Sequence, residues 1–600
     1  MKSPSRPTKI TAKTTVRILV KTVLLALALA FGMGEILRRV HMLGLSPELL
    51  FYAGLYGGLA LCLWCAAFIR QGWLRWSWAL FFAVAAIFVG SFQTATADAM
   101  SYDAFVTMMH SAGFAGDAVA QHGASLAWAA VGGLILFLAL VIKPVRLPFL
   151  PGVVAAGAPF VGLAILSLLL FVRGGEGARG LPGAWVGTAY SALYAYESAA
   201  HPSRPRQAVG IDLVRKSGPN IQGDIVLIID ESIAGRYLDI NDASGVRSGL
   251  ATPPPGVTVS NFGIAASITQ CSYGSNLTLR YGGTRGDYRQ MNTALPSIFA
   301  YARQAGYRTV YIDAQRVGRD YQNGMDDTER DAIDRFIQFE NTAIINRDMA
   351  AADSLIAMLG NGQREFILVN KMGAHFPVAD KYPDDAQIYQ PALPRGETTL
   401  VTDMRFPKNL YNGAQSWRLY RNAYRNTVAW TVGRFFDRIF AHAPLNHAMI
   451  IYTSDHGQNL HESGDSGATT HCNPSPVSEE GAVPLVIIDS SGRWQKAAER
   501  NFDASSHYRI FPTLLGAMGY DKAAVRRIYG EALDSLQPDP ATFNGLFHAR
   551  LGRDPTWVKV DRASIARPPQ ADYIRKAEPL LANVGTPSPA LKGRANSYGR

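Results

Sequence analysis

Ser454-Asp455-His456-Gly457 stands one residue after the apolar run Ala448 to Tyr452, an order that reads as a buried strand ending in two side chains able to hold a metal ion. Three more segments can be matched with it: Asp230-Glu231-Ser232 after the run Ile225 to Ile229, Cys271-Ser272-Tyr273-Gly274-Ser275, and Gly373-Ala374-His375-Phe376-Pro377 after Phe366 to Val369. The β-branched runs, with Thr309 to Ile312 and Leu485 to Ile488, alternate with helical stretches at Leu295 to Ala305, Ile344 to Leu359, Tyr420 to Ala441 and Tyr508 to Gly516. That alternation predicts a mostly parallel sheet flanked by helices. Ligands of such sheets gather at the carboxyl ends of the strands, where Glu231, Asp455 and His456 would project.

Upstream the composition changes. The first 172 residues are apolar and poor in charge, with segments at about 18 to 37, 47 to 69, 73 to 93, 124 to 143 and 150 to 172 long enough to span a hydrocarbon core. Such a core is about 30 Å thick and takes roughly 20 helical residues to cross. Five transmembrane helices are therefore expected. No small-residue cleavage pattern follows the first segment, so it reads as a span and not as a signal peptide.

Lys2, Arg6, Lys9, Lys13 and Arg17 precede the first span, Arg70 and Arg75 separate the second from the third, and Lys143 and Arg146 separate the fourth from the fifth. The loop 94 to 123 has no Lys or Arg. This places the N-terminus in the cytoplasm and everything beyond Arg173 outside it, with Arg38 and Arg39 against the pattern. In that loop Met100, Phe105, Met108, Met109, Phe114 and Val119 recur at helical spacing, as in a helix on the outer membrane surface or a packed connector. Glu35, near the outer end of the first span, could face a lipid headgroup or simply reach water.

The expected domains are 1–172 in the membrane, a linker at 173–219 with a helix near Trp185 to Ala199, a catalytic domain at 220–545, and a Pro-, Arg- and Gly-rich extension at 546–600, partly disordered, with one amphipathic stretch, Ala571 to Ala582. The net charge of +11 suits an anionic membrane surface. No basic run is interleaved with aromatics, so nucleic acid is not an expected partner. Cys62 and Cys65 fall in the second span, leaving Cys271 and Cys472 as a candidate disulfide pair beside the site.

Phosphoryl transfer needs a positioned nucleophile, a cation that lowers its pKa, and donors for developing charge. Glu231, Asp455 and His456 are the ligand types zinc takes in an open catalytic site. Ser275 is expected to fill the fourth position as nucleophile. It is preferred to Ser272 and Thr269 because Gly274 before it and Leu277 to Leu279 after it suit a loop turning into a helix, whose N-terminal amides cradle phosphate. His375 and His471 could bind the phosphate or protonate a leaving alkoxide. His461 lacks such support.

In these motifs and in its five spans the sequence resembles the membrane-bound phosphoethanolamine transferases of Gram-negative bacteria, in the sulfatase and alkaline phosphatase superfamily, over roughly residues 15 to 530. The resemblance implies an α-helical membrane domain followed by an α/β sulfatase-like domain at the periplasmic face of the inner membrane. It also implies metal ligation by Glu231, Ser275, Asp455 and His456, and substrate binding by His375, His471 and, after Asp313-Ala314-Gln315, Arg319. Zinc is the implied cofactor, with manganese or magnesium also compatible with oxygen ligands. The implied reaction moves phosphoethanolamine from phosphatidylethanolamine, through a phosphoserine, to an envelope glycolipid or glycan such as lipid A or lipopolysaccharide core.

Several departures bear on the substrate. Asp230 stands where the family has glycine, serine replaces threonine as nucleophile, and most disulfide cysteines are absent, with Tyr281 in one such place. A phosphoglycerol transferase resembling lipoteichoic acid synthase, or a membrane-tethered phosphatase, is the alternative. The Cys/Ser-x-Pro-x-Arg signature of sulfatases is missing, because Cys271-Ser272-Tyr273-Gly274-Ser275 has neither the Pro nor the Arg.

Overall fold

The structure is a computed structural model that describes residues 12–574 except 97–98, 111–114, 148, 203–204, 210–212, 222, 319–320, 396–412, 464–469, 474, 549–550 and 572. Its N-terminal part is helical: α1 (Ala12–Ala30), α2 (Met33–Leu43), α3 (Pro47–Ala66), α4 (Gly72–Thr96), α5 (Tyr102–His110), α6 (Ala115–Val141), α7 (Gly152–Val172) and α8 (Gly183–Ala200). Among the described residues four helices are long and apolar enough to cross a membrane, and α1 with α2, bent by 64° at their junction, pass the same test only when taken together as one broken span. The unbroken first helix expected from the sequence is interrupted at Phe31-Gly32, where glycine costs helix stability. α5 buries Tyr102, Phe105 and Val106. It is in contact with α8, which favours the packed connector over a helix lying on lipid.

A seven-stranded sheet follows: β1 (Asp224–Asp230), β2 (Thr258–Ala266), β3 (Arg308–Asp313), β4 (Arg335–Gln338), β5 (Glu365–Asn370), β6 (Ala448–Ser454) and β7 (Ala482–Asp489). The order is β2-β7-β6-β1-β5-β3-β4. The pairs from β6 to β4 are parallel, while β7 is antiparallel to β6 and to β2. All seven β1 residues are buried, as a strand covered on both faces requires. Alternation divides the core: Val226, Ile228, Ile367, Val369, Ile450 and Tyr452 pack on one face. Ile225, Leu227, Ile229, Leu368, Met449 and Ile451 pack on the other.

Each of the five apolar runs in the sequence is a strand. β2 and β4 had no such run: β2 carries Asn261 and Gly263 at a register shift, and β4 is a short, half-exposed edge strand. The stretch Tyr420 to Ala441 lies within two helices, Gly413–Val428 and Phe435–His442, joined by a π-turn at Ala429–Arg434. Most of Ala571 to Ala582 lies outside the described residues.

Polar contacts join the two parts. Glu197 on α8 pairs with Arg289 at 3.1 Å and accepts from the Tyr102 hydroxyl at 3.1 Å. The His548 amide donates to Asp103 at 2.6 Å, and the His110 ring stacks on Tyr273 with centroids 4.9 Å apart. Leu546 and Leu551 are buried among the apolar residues of the membrane-spanning helices.

Candidate active site

β1 and β6 are neighbours in register, with Asp230 opposite Ser454, so the residues leaving their carboxyl ends meet. There Glu231, Asp455 and His456 bring one ligand atom each to within 4.8 Å of the others, all three buried. The Asp455 carboxylate accepts from the Ser232 amide at 3.0 Å and the His456 amide at 2.7 Å. His456 Nδ1 lies 2.8 Å from the Gly457 carbonyl, which fixes the tautomer and leaves Nε2 facing Glu231 at 3.5 Å. Glycine is required at 457 because a Cβ would stand 2.2 Å from the Glu479 carbonyl.

The Glu231 carboxylate is held by Ser232 Oγ at 2.8 Å and Gln315 Nε2 at 3.2 Å. Gln315 also donates to the Lys371 carbonyl at 2.7 Å. Beneath the site Asp230 accepts from the Glu231 amide at 3.1 Å and the Tyr452 hydroxyl at 3.0 Å, and it pairs with the fully buried Lys371. Gly373, at φ 49°, closes over this pair, where a Cβ would stand 2.3 Å from Asp230 Oδ1.

Of the two serines, Ser272 and not Ser275 lies against the ligand set. Helix α9 (Ser272–Tyr281) begins at Ser272, with Cys271 as its N-cap residue. Ser272 Oγ lies 3.2 and 3.3 Å from the two Glu231 oxygens and 3.2 Å from His456 Nε2. Ser275 sits away from the triad: fully buried, its hydroxyl donates to the Thr269 carbonyl at 3.1 Å and accepts from the Thr269 amide at 3.3 Å. Three residues further on is about 4.5 Å along a helix axis, and Ser272, not Ser275, is the serine that reaches Glu231 and His456. Asn276, one turn after Ser272, approaches Asp455 at 3.4 Å.

Of the predicted substrate-side residues, His471 stacks on His456 with ring centroids 4.5 Å apart. His375 is near enough to act electrostatically on Glu231 and His471, and its Nδ1 lies 2.8 Å from the Phe376 carbonyl. Arg319 lies outside the described residues. Cys271 and Cys472 form a disulfide that joins the start of α9 to the segment carrying His471. Sequence reasoning missed Gln315, although Asp313-Ala314-Gln315 had stood out, and it missed Ser232 and Lys371. Asn276, four residues after Ser272 on one helix face, was a signal favouring Ser272.

The electrostatics fit a bound cation. Burial works to raise the Glu231 carboxyl, but hydrogen bonding and charge from His456 outweigh it and hold it well below the usual range. Burial and the Glu231 charge raise Asp455. Burial would lower His456, but Asp455 and Glu231 overcome it and push the imidazole up to about 9. Two adjacent buried carboxylates thus demand positive charge, which a metal ion can supply in place of the proton. Burial, then His456, lowers His471 to about 3, so it is a neutral imidazole at physiological pH.

A buried carboxylate–carboxylate–imidazole set at the edge of a mostly parallel sheet, with a serine at a helix N-terminus beside it, defines the sulfatase and alkaline phosphatase class. Residues 224–520 match the Sulfatase family model, and this sulfatase-like fold follows the membrane-spanning helices. Among solved structures, the integral membrane protein lipooligosaccharide phosphoethanolamine transferase A of Neisseria meningitidis is similar with a TM-score of 0.58 at 15% identity, over 84% of this chain and 96% of that one. The C-terminal periplasmic domain of EptC from Escherichia coli, in complex with Zn, gives 0.44 at 14% identity over 60% and 97%. Phosphonate monoester hydrolase of Agrobacterium radiobacter gives 0.36 at 15% over 50% and 74%. No curated protein sequence matches the chain. At these identities the likeness is one of fold, and in the first case it spans both parts of the chain.

Proposed function

We propose that the protein is a metal-dependent transferase that takes phosphoethanolamine from phosphatidylethanolamine onto Ser272 and passes it to an envelope glycolipid or glycan, such as lipid A or lipopolysaccharide core. The observation that carries this reading is the position of Ser272 Oγ, within 3.3 Å of both Glu231 and His456 at the first turn of α9. The fold likeness to a membrane-bound phosphoethanolamine transferase supports the donor class. The distribution of Lys and Arg supports a catalytic part outside the cytoplasm, and the fold likeness to a Neisseria meningitidis membrane transferase supports the periplasmic face of a Gram-negative inner membrane.

Glu231, Asp455 and His456 would hold the cation, and zinc suits their mixed oxygen and nitrogen donors. When bound, the cation lowers the pKa of a neighbouring hydroxyl and offsets phosphoryl charge. Ser272 Oγ attacks phosphorus as its proton is lost, the bond from phosphorus to the glycerol oxygen breaks, and diacylglycerol departs. The first amides of α9 point at the transferring group, where partial positive charge favours an anion. His375 donates its Nδ1 proton to the Phe376 carbonyl, which leaves Nε2 to take up the proton lost by Ser272 and hand it to the leaving alkoxide. Neutral His471 assists the acceptor hydroxyl in the second transfer, which releases Ser272.

Intact-mass analysis after incubation with phosphatidylethanolamine and zinc tests the reading. The wild type and Ser275→Ala gain one phosphoethanolamine, while Ser272→Ala gains none and keeps its fold. A glycerophosphate adduct from phosphatidylglycerol, with no phosphoethanolamine adduct, would replace this donor with that of the phosphoglycerol transferases.

A further inference from the structure

Away from the catalytic centre, the bend between α1 and α2 opens a cavity of about 80 Å³ among the membrane-spanning helices. Phe31, Glu35, Tyr56, Gln93, Thr94 and Trp128 are among the residues lining it. Gly132 and Gly133 also line it, and their lack of side chains keeps it open: a Cβ on Gly132 would stand 2.9 Å from the Phe31 ring, and one on Gly133 2.4 Å from Ile87. Gln93 and Thr94 in the lining stand near the carboxyl end of α4. The lining continues through Gly180 to Ala184 into α8, whose far end pairs Glu197 with Arg289.

Glu35 is the charged group in the lining, only 3% exposed, with Arg38 Nη1 3.2 Å from one oxygen and Arg179 Nη1 3.8 Å from the other. The two guanidiniums are more open, their side chains 33% and 24% exposed. An ionised side chain buried at the end of a transmembrane bundle costs free energy and marks a functional site whose partners are ionic. A carboxylate enclosed by Phe31, Tyr56 and Trp128 offers a primary ammonium both an ion pair and aromatic faces. The arginines at its edge offer a phosphate charge-assisted hydrogen bonds. A negative group flanked by a cation, at the level where spanning helices end, is the charge pattern of a zwitterionic aminophospholipid headgroup.

We propose that this cavity is a lipid-headgroup site that holds phosphatidylethanolamine at the mouth of the membrane-spanning helices. Glu35 engages the ammonium, and Arg38 and Arg179 engage the phosphate. The site rests on the reading that a phospholipid is the donor, and it adds selection of the headgroup by the membrane part of the chain. The carboxylate discriminates against the neutral glycerol head of phosphatidylglycerol, and the enclosed walls against the bulkier trimethylammonium of phosphatidylcholine.

The full-length protein, reconstituted in nanodiscs of equal parts phosphatidylethanolamine, phosphatidylglycerol and phosphatidylcholine, is released into detergent and its retained lipid counted by native mass spectrometry. The wild type retains phosphatidylethanolamine preferentially, and Glu35→Gln lowers that retention roughly tenfold, the scale of one charged hydrogen bond. Arg179→Gln lowers it similarly, and decides the matter if the melting temperature shows that Glu35→Gln does not fold. Equal retention of the three lipids by the wild type, or undiminished phosphatidylethanolamine on the folded variants, overturns the site. The intact mass of the wild type reports separately on the donor: selective retention with no adduct on Ser272 would sink the transferase reading and leave the headgroup site standing.

Discussion

Cys271 and Cys472, 201 residues apart in sequence, are joined by a disulfide that brackets the catalytic centre. Cys271 directly precedes Ser272 and Cys472 directly follows His471, and the Cys472 amide donates to the Gln270 carbonyl at 3.2 Å. The covalent link therefore holds Ser272 and the His471 imidazole in one frame. Cys472→Ser is expected to destabilise the protein by roughly 2–5 kcal/mol, the usual cost of losing a native disulfide. It should also slow formation of the Ser272 adduct, because the first turn of α9 loses its tether. A melting temperature and adduct rate both equal to the wild type's would show that the bridge holds nothing in place.

The ion pair of Lys371 with Asp230 lies beneath the metal-ligand set, with Asp348 3.9 Å from the same ammonium. Replacing Lys371 with Met leaves two buried carboxylates without their cation, a change that costs about 3–5 kcal/mol when one partner of a buried pair is removed. The double variant Asp230→Asn, Lys371→Met should recover part of that loss. Thermal unfolding of the three variants beside the wild type measures the coupling, and additive losses would refute it.

Removing a ligand should remove the metal. Elemental analysis of purified Glu231→Ala and Asp455→Ala is expected to show substoichiometric metal where the wild type holds close to stoichiometric amounts. Chelation of the wild type should abolish adduct formation, and added zinc should restore it. Full metal content in Glu231→Ala would place the cation elsewhere.

At the amino end of β1, burial pushes Asp224 up from 3.8 to about 6, with the Glu365 charge adding to it against the lowering hydrogen bond from the Glu365 amide at 2.7 Å. The folded state binds this proton more tightly than the unfolded chain. The associated stability is therefore complete below about pH 4 and lost as pH rises through 6. Asp224→Asn, which can still accept from that amide, is expected to be more stable than the wild type above pH 6, by at most about 3 kcal/mol, and to converge with it near pH 4. Melting temperatures across pH 4 to 8 check the sign: a difference that is constant with pH would exclude this titration.

Much of this architecture is written in local pattern. Runs such as Ile225 to Ile229 and Ala448 to Tyr452 are buried on both faces, and a strand of that kind must be apolar along its length, so composition alone declares it. The same holds for the helices of the membrane part, where lipid demands apolar length. Glu231, Asp455 and His456 were legible because each closely follows such a run. Interactions made across the chain were not legible in this way. Local pattern favours Ser275, and only the approach of the first turn of α9 to the ends of β1 and β6 sets Ser272 beside Glu231 and His456 instead. The break at Gly32, the Gln315 contact with Glu231 and the Lys371 pair likewise depend on what packs opposite. Periodicity and hydrophobicity are properties of neighbouring residues and select the elements, whereas a site is a set of distances between residues far apart in the chain, decided when the sheet order brings the strand ends together.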